Sequence, residues 1–414
     1  MDQAILVGID IETNVLNIRS NLDELEQLAL AVDIKTRDKV VQKSKSISPK
    51  YYIGKGKVDE IKKMISILDV DVVIFDDTLS PSQLSNLEKT LDVQVIDRSF
   101  LILSIFAERA QSKQAMLEVA LAQKMYMLPR LSGMGSTLSR QGGGSYNAKG
   151  PGETKLELDR RKLLQEISLI KKQLLKIEKE RDISTKKRKD SQIPIVALVG
   201  YTNAGKSSLM NGLTSYLHQD QEPVFEKDML FATLDTKARR IQQDNKPPFI
   251  LIDTVGFISK LPHELIRSFQ TTLLDVLNAD LLLHVVDSTA KYQEEMFVTR
   301  NVLQQIGADH IERILIMTKK DLAFRPVEVQ EDYIYISNLT KENYDELISA
   351  IYGHIYHDRR IVDLLIPFTE GQIFSKLKEN ATILSNQYLD EGIFISAVLS
   401  QEQTLIYQSY IIKK

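Results

Sequence analysis

A glycine-rich segment that could hold phosphate groups lies near the middle of the 414-residue chain. Residues 200–207, GYTNAGKS, fit the pattern GxxxxGK[S/T] and follow the apolar run 193–200. Glycines in this pattern let backbone N–H groups curl around phosphate oxygens, and the next helix adds its N-terminus. Lys206 would reach the β- and γ-phosphates, and the Ser207 hydroxyl would bind magnesium. The predicted phosphate-binding residues are Gly200, Tyr201, Thr202, Asn203, Ala204, Gly205, Lys206, Ser207 and Ser208.

A second motif, Asp253-Thr-Val-Gly256, follows the apolar run PPFILI. A carboxylate there can hold magnesium, and the Gly256 N–H can contact a γ-phosphate. Between the two motifs a threonine normally caps the magnesium ion; Thr233 is our choice, with Thr236 as the alternative. We therefore predict Lys206, Thr233 and Gly256 as catalytic residues, Ser207, Thr233 and Asp253 as magnesium ligands, and Phe231 and Ala232 as further nucleotide contacts.

A third motif selects the base. Thr318-Lys319-Lys320-Asp321 follows the apolar run RILIM, and the Asp321 carboxylate can accept from guanine N1–H and the exocyclic amine together. Adenine lacks that donor pair, so the motif predicts a guanine nucleotide, with the Lys319 stem across the base. Thr318 stands where many GTPases have asparagine. The loop Ser337-Asn338-Leu339, after YIYI, takes the place of the loop behind the guanine carbonyl.

Two residues bear on the rate of nucleotide hydrolysis and on the ions that could assist it. Phe257 stands where a Ras-like enzyme has the glutamine that orients the attacking water, and phenylalanine cannot hydrogen-bond water. We therefore expect slow intrinsic GTP hydrolysis that a partner accelerates. Asn203 stands where potassium-stimulated GTPases carry an asparagine ligand, which makes K⁺ a second candidate ion beside Mg²⁺; the alternative is that Asn203 only shapes the loop.

Alternating strand and helix patterns position these motifs. Each motif follows an apolar strand, so residues 194–356 predict an α/β P-loop NTPase domain with nucleotide at the carboxyl ends of its strands. Residues 1–98 alternate in the same way and predict an N-terminal α/β domain with a mostly parallel sheet. In that domain Ser80 and Pro81 are expected to open a helix over 80–91.

Residues 99–190 predict a long helical hairpin with a glycine-rich tip loop at 129–153. We expect one helix over 99–128 and a second over 154–185. Apolar residues of the second helix recur with coiled-coil spacing; they are Leu156, Leu163, Ile167, Ile170, Leu174 and Ile177.

Residues 360–414 predict a small α+β C-terminal domain. The expected order is a strand at 361–368, a helix at 371–389, and strands at 393–399 and 404–412. No catalytic motif is recognisable there.

Composition and charge indicate the compartment of the protein and the partners that it could bind. The chain has no cysteine, which fits a reducing cytoplasm, and no uninterrupted apolar run of about 18 residues that would predict a membrane span. The N-terminus carries acids where a secretory signal would be basic. The net charge is −3, but residues 155–190 hold 13 Lys and Arg against 7 Asp and Glu. Such a basic stretch can meet RNA phosphates, although a solvated helix face is the other interpretation. We expect a cytoplasmic monomer.

The sequence resembles the HflX family of ribosome-associated GTPases, of the TRAFAC class. Beyond the GTPase motifs, the resemblance rests on YYIGKGKVDEI at 51–61, VIFDDTLSPSQLSNLE at 73–88, DRSFLILSIFAERAQS at 97–112, LPRLSGMGSTLSRQGGG at 128–144, GPGETKLELDRR at 150–161, LFATLDTKARR at 230–240 and DTVGFISKLPHELIRSF at 253–269. The resemblance implies binding to the 50S ribosomal subunit and splitting of stalled or idle 70S ribosomes under stress, with GTP hydrolysis resetting the factor.

In that family the tip loop contacts 23S rRNA. Carried onto this chain, the contacts are Arg130, Arg140, Gly142, Gly143, Gly144 and Lys149. The tip departs from the family pattern because it is one residue longer and has Lys149 where arginine is expected.

Two alternatives differ from ribosome splitting. The first is a GTP- or ATP-dependent RNA-remodelling or rRNA-binding factor that acts on free 50S subunits. A related form of it is an RNA-modification subunit whose N-terminal domain does chemistry with Asp76 and Asp77, but capping and turning is the favoured interpretation of these carboxylates. The second is ATP use through residues 54–57, GKGK, where a simple helix start is favoured.

Overall fold

The computed structural model describes residues 2–11, 18–131, 155–190, 193–217, 237–243, 246–260, 275–322 and 327–412. The chain divides into two compact units. Of the described residues, those up to 176 together with Ser259 and Lys260 form the first unit, and the others form the second unit.

The first unit contains a four-stranded parallel sheet, as the alternating pattern predicts. Its strands lie in the order β2-β1-β3-β4, and four helices belong to the same stretch of chain. The bounds are β1 Asp2–Ile11, α1 Ile18–Leu30, β2 Ile34–Ser44, α2 Lys55–Leu68, β3 Val72–Phe75, α3 Pro81–Leu91, β4 Gln94–Asp97 and α4 Arg98–Arg109.

Helix α3 begins where the sequence predicts. Ser80 accepts a hydrogen bond from the Gln83 N–H, the Gln83 side chain accepts from the Ser80 N–H, and Pro81 occupies the first helical position. This capping box satisfies two N–H groups that a helix start leaves without partners.

The expected single helix over 99–128 is wrong, because it is two helices. After α4 the backbone becomes extended at Ala110, and Ser112 caps α5, Lys113–Met127. The serine side chain accepts from the Ala115 N–H, so a new helix starts there. The long helix α6, Lys155–Asp190, packs its predicted seam against α5; the packed seam residues are Leu163, Ile167, Ile170 and Leu174.

The second unit contains a six-stranded sheet in the order β10-β9-β8-β5-β7-β6. All neighbours are parallel except β6, which runs antiparallel to β7 at one edge. The elements are β5 Ile195–Gly200, α7 Lys206–Tyr216, β6 Lys237–Ile241, β7 Phe249–Asp253, β8 Leu281–Asp287, α8 Tyr292–Ile306, β9 Arg313–Thr318, β10 Tyr333–Tyr335 and α9 Tyr344–Ile355. Strand β5 is buried along its whole length, which is typical of a central parallel strand.

The C-terminal segment is α+β as expected, but two of its elements differ from the prediction. The helix expected over 371–389 ends at Asn380, and 382–389 is a strand; the strand expected over 404–412 is mostly helical. The bounds are β11 Arg359–Ile366, α10 Gly371–Asn380, β12 Thr382–Leu389, β13 Gly392–Ser400 and α11 Gln401–Ile406, with antiparallel strand order β11-β13-β12.

Within the described ranges, no helix is both long enough and apolar enough to cross a membrane.

Candidate nucleotide-binding site

The phosphate loop, residues 200–207, joins the carboxyl end of β5 to the first turn of α7. Gly205 (φ +90°) and Asn203 (φ +61°) lie in the left-handed region, which glycine adopts freely and asparagine tolerates. Ser208 lies in the first turn of α7. The strand-loop-helix arrangement that the pattern requires is therefore present.

The Lys206 side chain is held within the phosphate loop. Its side chain is buried, and its ammonium donates to the carbonyl oxygens of Gly200 at 3.1 Å and Tyr201 at 2.7 Å. Burial lowers the pKa of Lys206 to about 8, against the opposing effects of Asp253 and Glu295. A desolvated cation in a loop of backbone amides favours an anionic ligand such as a phosphate.

Two of the predicted magnesium ligands lie side by side. Asp253 ends β7, which pairs in parallel with β5, and the Ser207 hydroxyl donates to its carboxylate at 2.6 Å. Both groups offer oxygen atoms, the donors that Mg²⁺ prefers, and Mg²⁺ commonly takes few protein ligands beside phosphate oxygens and waters. The residues fit that ion. Phe231, Ala232, Thr233 and the alternative Thr236 lie outside the described residues.

The Asp-Thr-Val-Gly motif lies directly on the phosphate loop. The Phe257 N–H donates to the Gly200 carbonyl at 3.0 Å, and the Thr202 N–H donates to the Phe257 carbonyl at 2.7 Å. A Cβ on Gly256 would lie 2.6 Å from Thr202 Cα and 3.0 Å from Lys206 Nζ, so only glycine fits there. The Phe257 side chain is buried. The motif's glycine is thus next to the predicted phosphate-binding lysine.

The motif that is predicted to read guanine, residues 318–321, also contacts the phosphate loop. The buried Thr318 hydroxyl lies 2.9 Å from the Ala204 carbonyl oxygen and 3.1 Å from that of Val286. Asp321 lies in a short 3-10 helix, and the Ser337 hydroxyl donates to its carboxylate at 2.6 Å. This bond holds the carboxylate that we expect to read guanine. It also supports the placement of the Ser337 loop beside the base.

Lys319 has a partner that the sequence analysis missed. Its ammonium pairs with the Asp287 carboxylate at 2.6 Å, and the other Asp287 oxygen accepts from the Thr289 N–H and hydroxyl. Asp287 is the last residue of β8, directly beside Thr318 in the sheet register. The sequence does contain a signal for Asp287, because this carboxylate ends an apolar strand just as Asp253 does. Asp287 fixes the lysine whose stem should cover the base.

The site geometry is accompanied by full-length sequence similarity. A family model described as 50S ribosome-binding GTPase matches residues 195–319, and models described as GTP-binding GTPase N-terminal and GTP-binding GTPase Middle Region match 19–107 and 109–188. GTPase HflX of Caldanaerobacter subterraneus subsp. tengcongensis is 41% identical over 99% of this chain and 94% of its own length.

The chain belongs to the HflX family. GTPase HflX of Escherichia coli is 36% identical over 94% of this chain and 92% of its own. A crystal structure of SsGBP with GDP covers 85% of this chain and 98% of its own, at 25% identity and a TM-score of 0.47. This HflX-family protein has a P-loop GTPase domain and hydrolyses GTP.

Arg130 is the one predicted RNA contact of this HflX-family chain that the structure describes. Its guanidinium donates to the carbonyls of Tyr126 at 2.8 Å and Leu79 at 2.9 Å and to the Asp97 carboxylate at 3.2 Å, and it stacks on the Tyr126 ring. These contacts give Arg130 a structural role in the first unit, and its RNA contact stays a prediction. Arg140, Gly142, Gly143, Gly144 and Lys149 lie outside the described residues.

Asp76 and Asp77 lie at the bend after β3 and form ion pairs that the sequence did not predict. The fully buried Asp76 accepts from Arg98 at 2.8 Å and pairs with Lys260, which also pairs with Asp77 at 2.6 Å. Burial raises the pKa of Asp76, and Arg98 and Lys260 act against that rise. Buried charges need such partners, so these carboxylates form an ion-pair cluster within the first unit.

The GKGK segment has the geometry of a helix start. Its Gly54 N–H donates to the Gln42 side chain at 2.8 Å, α2 begins at the next residue, and Lys57 pairs with Glu60 at 2.8 Å. These contacts favour the structural interpretation of the segment.

Proposed function

We propose that this HflX-family GTPase binds the 50S ribosomal subunit and splits stalled or idle 70S ribosomes under stress, with GTP hydrolysis resetting the factor. One observation carries the proposal: the three nucleotide-binding motifs contact one another, and they lie in a segment that matches the 50S ribosome-binding GTPase model. The basic stretch 155–190, which is the long helix α6, supports an RNA partner. Monomeric state and cytoplasmic location belong to the same proposal.

Within the site, we propose that each motif has a separate role. Residues 200–208 bind the phosphates, Asp321 reads guanine, and Ser337, Asn338 and Leu339 lie behind the base. Gly256 senses the γ-phosphate from its position against Lys206. Ser207 and Asp253 would hold Mg²⁺, which neutralises charge that develops on the phosphates during transfer.

Slow intrinsic hydrolysis follows from Phe257. The hydrogen bonds on both sides of its peptide fix its backbone on the phosphate loop, and its ring is buried. This residue therefore offers no side-chain group that could orient the attacking water. We propose that ribosome binding orders the site so that the attacking water is oriented, and that K⁺ bound at Asn203 contributes to this ordering. Asn203 in the left-handed region also satisfies the loop-shaping alternative, so hydrolysis in KCl against NaCl decides between them.

The test is the GTPase rate of the full chain alone and with purified 50S, 30S and 70S particles. The proposal predicts stimulation of at least about tenfold by 50S and 70S, and none by 30S, because a partner that orders the residues around the γ-phosphate stabilises the transition state. Stimulation by free 50S without any action on 70S would instead support the 50S remodelling alternative. No stimulation by any particle would contradict a ribosomal role.

An Asp321→Asn variant is the matched control for that assay. Asparagine presents a donor where xanthine has its second carbonyl, so the variant should lose GTP turnover and gain turnover of xanthosine triphosphate. Ribosome-stimulated hydrolysis of xanthosine triphosphate by the variant would assign the activity to this site, whereas retained GTP turnover would trace it to a contaminant or another site.

A further inference from the structure

The Thr318 hydroxyl is shared between the phosphate loop and a neighbouring strand. Its hydroxyl lies within bonding distance of two carbonyl oxygens, those of Ala204 and Val286. A hydroxyl has a single proton, so it cannot donate fully to both at once. An asparagine at this position would offer two N–H groups. The change to threonine therefore removes one donor from the junction between the phosphate loop and the guanine-reading motif.

Asn338 brings a donor to the next residue of the loop. Its side-chain N–H₂ donates to the Gly205 carbonyl at 3.2 Å. That carbonyl also accepts from the Leu209 N–H at 2.9 Å, and its two lone pairs accommodate both bonds. A Cβ on Gly205 would lie 3.1 Å from the Asn338 nitrogen, so the glycine leaves the room that the amide uses. Asn338 thus holds the residue that precedes Lys206.

A buried tyrosine sets the orientation of this amide. The Tyr344 hydroxyl donates to the Asn338 side-chain oxygen at 3.0 Å. Because the Gly205 carbonyl can only accept, the amide must turn its nitrogen to Gly205 and its oxygen to Tyr344. Tyr344 is 1% exposed and lies against Gly212 of α7, where a Cβ would collide with its hydroxyl. A packed side chain therefore holds Asn338 in place.

The residue before Asn338 holds the guanine-reading carboxylate. Ser337 donates to Asp321, and Asn338 donates to the phosphate loop, so two consecutive residues join the two halves of the site. We propose that Asn338 is a positioning residue for nucleotide binding, and that Thr318 and Asn338 together replace the single asparagine that many GTPases have at the first of these positions. The proposal concerns GTP binding alone and does not depend on the ribosome.

The test is the dissociation rate of a fluorescent GDP analogue from the full chain. Asn338→Ala should raise that rate about 3- to 10-fold, as expected for one lost hydrogen bond. The isosteric Asn338→Asp should raise it at least as much, because its carboxylate can only accept and would face the Gly205 carbonyl oxygen. Thr318→Asn in the Asn338→Ala background should bring the rate back to within about twofold of the wild type, because it returns the missing donor. KM for GTP should rise more than kcat falls.

The matched control is Asn343→Gly. Asn343 donates from the same segment to the Tyr335 carbonyl at 2.7 Å, and its φ of +63° suits glycine. This variant should lower the unfolding temperature without raising the dissociation rate. A wild-type dissociation rate in folded Asn338→Asp would overturn the proposal. So would failure of Thr318→Asn to rescue, or a rise in rate that the control reproduces.

Discussion

At Gly256 the backbone passes so close to Thr202 and Lys206 that no side chain fits between them. The contact places the peptide expected to sense the γ-phosphate against the lysine expected to bind it. A methyl group there would force the motif or the loop to move. Displacements of about 1 Å near reacting groups cost about 100-fold in rate.

Gly256→Ala should therefore lower single-turnover GTP hydrolysis about 100-fold, while affinity for GDP changes much less because the guanine contacts remain. Gly353→Ala is the control, since that glycine lies in α9 with no atom within 4 Å of an added Cβ. Stopped-flow and quenched-flow measurements separate binding from hydrolysis. Wild-type hydrolysis in Gly256→Ala would contradict the role of this glycine.

His284 is a buried base on β8, 1% exposed, and burial lowers its pKa to about 3. In the unfolded chain its pKa is near 6.5, so below that pH the unfolded state binds the extra proton. The folded protein keeps His284 neutral. The contribution of this neutral histidine to the free energy of unfolding is therefore fully present above pH 6.5 and is lost as the pH falls towards 3. At pH 5 the loss is about 2 kcal/mol.

His284→Gln should remove this part of the pH dependence. Urea unfolding of the wild type and the variant at pH 7.5 and pH 5 gives the comparison, with the wild type losing about 2 kcal/mol more than the variant. A ¹³C-histidine NMR titration, assigned by the missing signal in the variant, should show no protonation of His284 between pH 8 and 5. Parallel stability losses, or a normal titration, would refute the prediction.

Sequence motifs predict a residue's chemistry better than its partners. The lysine of the phosphate loop, the Asp253 carboxylate and Asp321 could be named because each follows an apolar strand at a fixed spacing. Asp287 could have been found by the same rule. The Asn338 bond to Gly205 could not, because it joins residues far apart in sequence and depends on Tyr344.

At the scale of elements, capping residues explain both successes and failures. Ser80 with Pro81 predicted the start of α3, and the structure confirms it. Ser400 and Gln403 form the same capping box at α11, and this sequence signal explains why 404–412 begins as a helix and not as the expected strand. The apolar spacing of 382–389 does not distinguish helix from strand. Pairing with β13 makes that segment a strand, and such long-range pairing overrides local preference.

Arg130 lies in the turn after α5 and connects it to the first sheet through Leu79 and Asp97. Arg130→Ala should destabilise the first unit by about 2 kcal/mol, because it removes charge-assisted bonds to a buried carboxylate. Hydrogen–deuterium exchange in peptides from 72–131 measures the effect, with the exposed Lys171→Ala of α6 as the control. If exchange is unchanged while ribosome binding falls, Arg130 acts mainly on RNA and the structural account of it is wrong.

At the scale of the whole molecule, the alternation of apolar strands and helices predicted both parallel sheets. The edge strand β6 and its antiparallel direction were not predicted, since KARRI is charged and lacks a buried run. The domain boundaries at 98, 190 and 356 stay predictions. The expectation that the partner is the ribosome rests on the resemblance to the HflX family, because the sequence patterns alone indicate only an RNA partner.

The most direct measurement is the sedimentation of purified 70S ribosomes in sucrose gradients after incubation with the full chain and GTP, GDP or a non-hydrolysable GTP analogue. The account predicts conversion of 70S into 50S and 30S particles with GTP and the analogue but not with GDP, and co-sedimentation of the chain with 50S. A variant lacking residues 133–150 should bind GTP normally and fail to split ribosomes. Intact 70S particles in every nucleotide state, with no chain on 50S, would contradict the account and leave a GTPase with another partner.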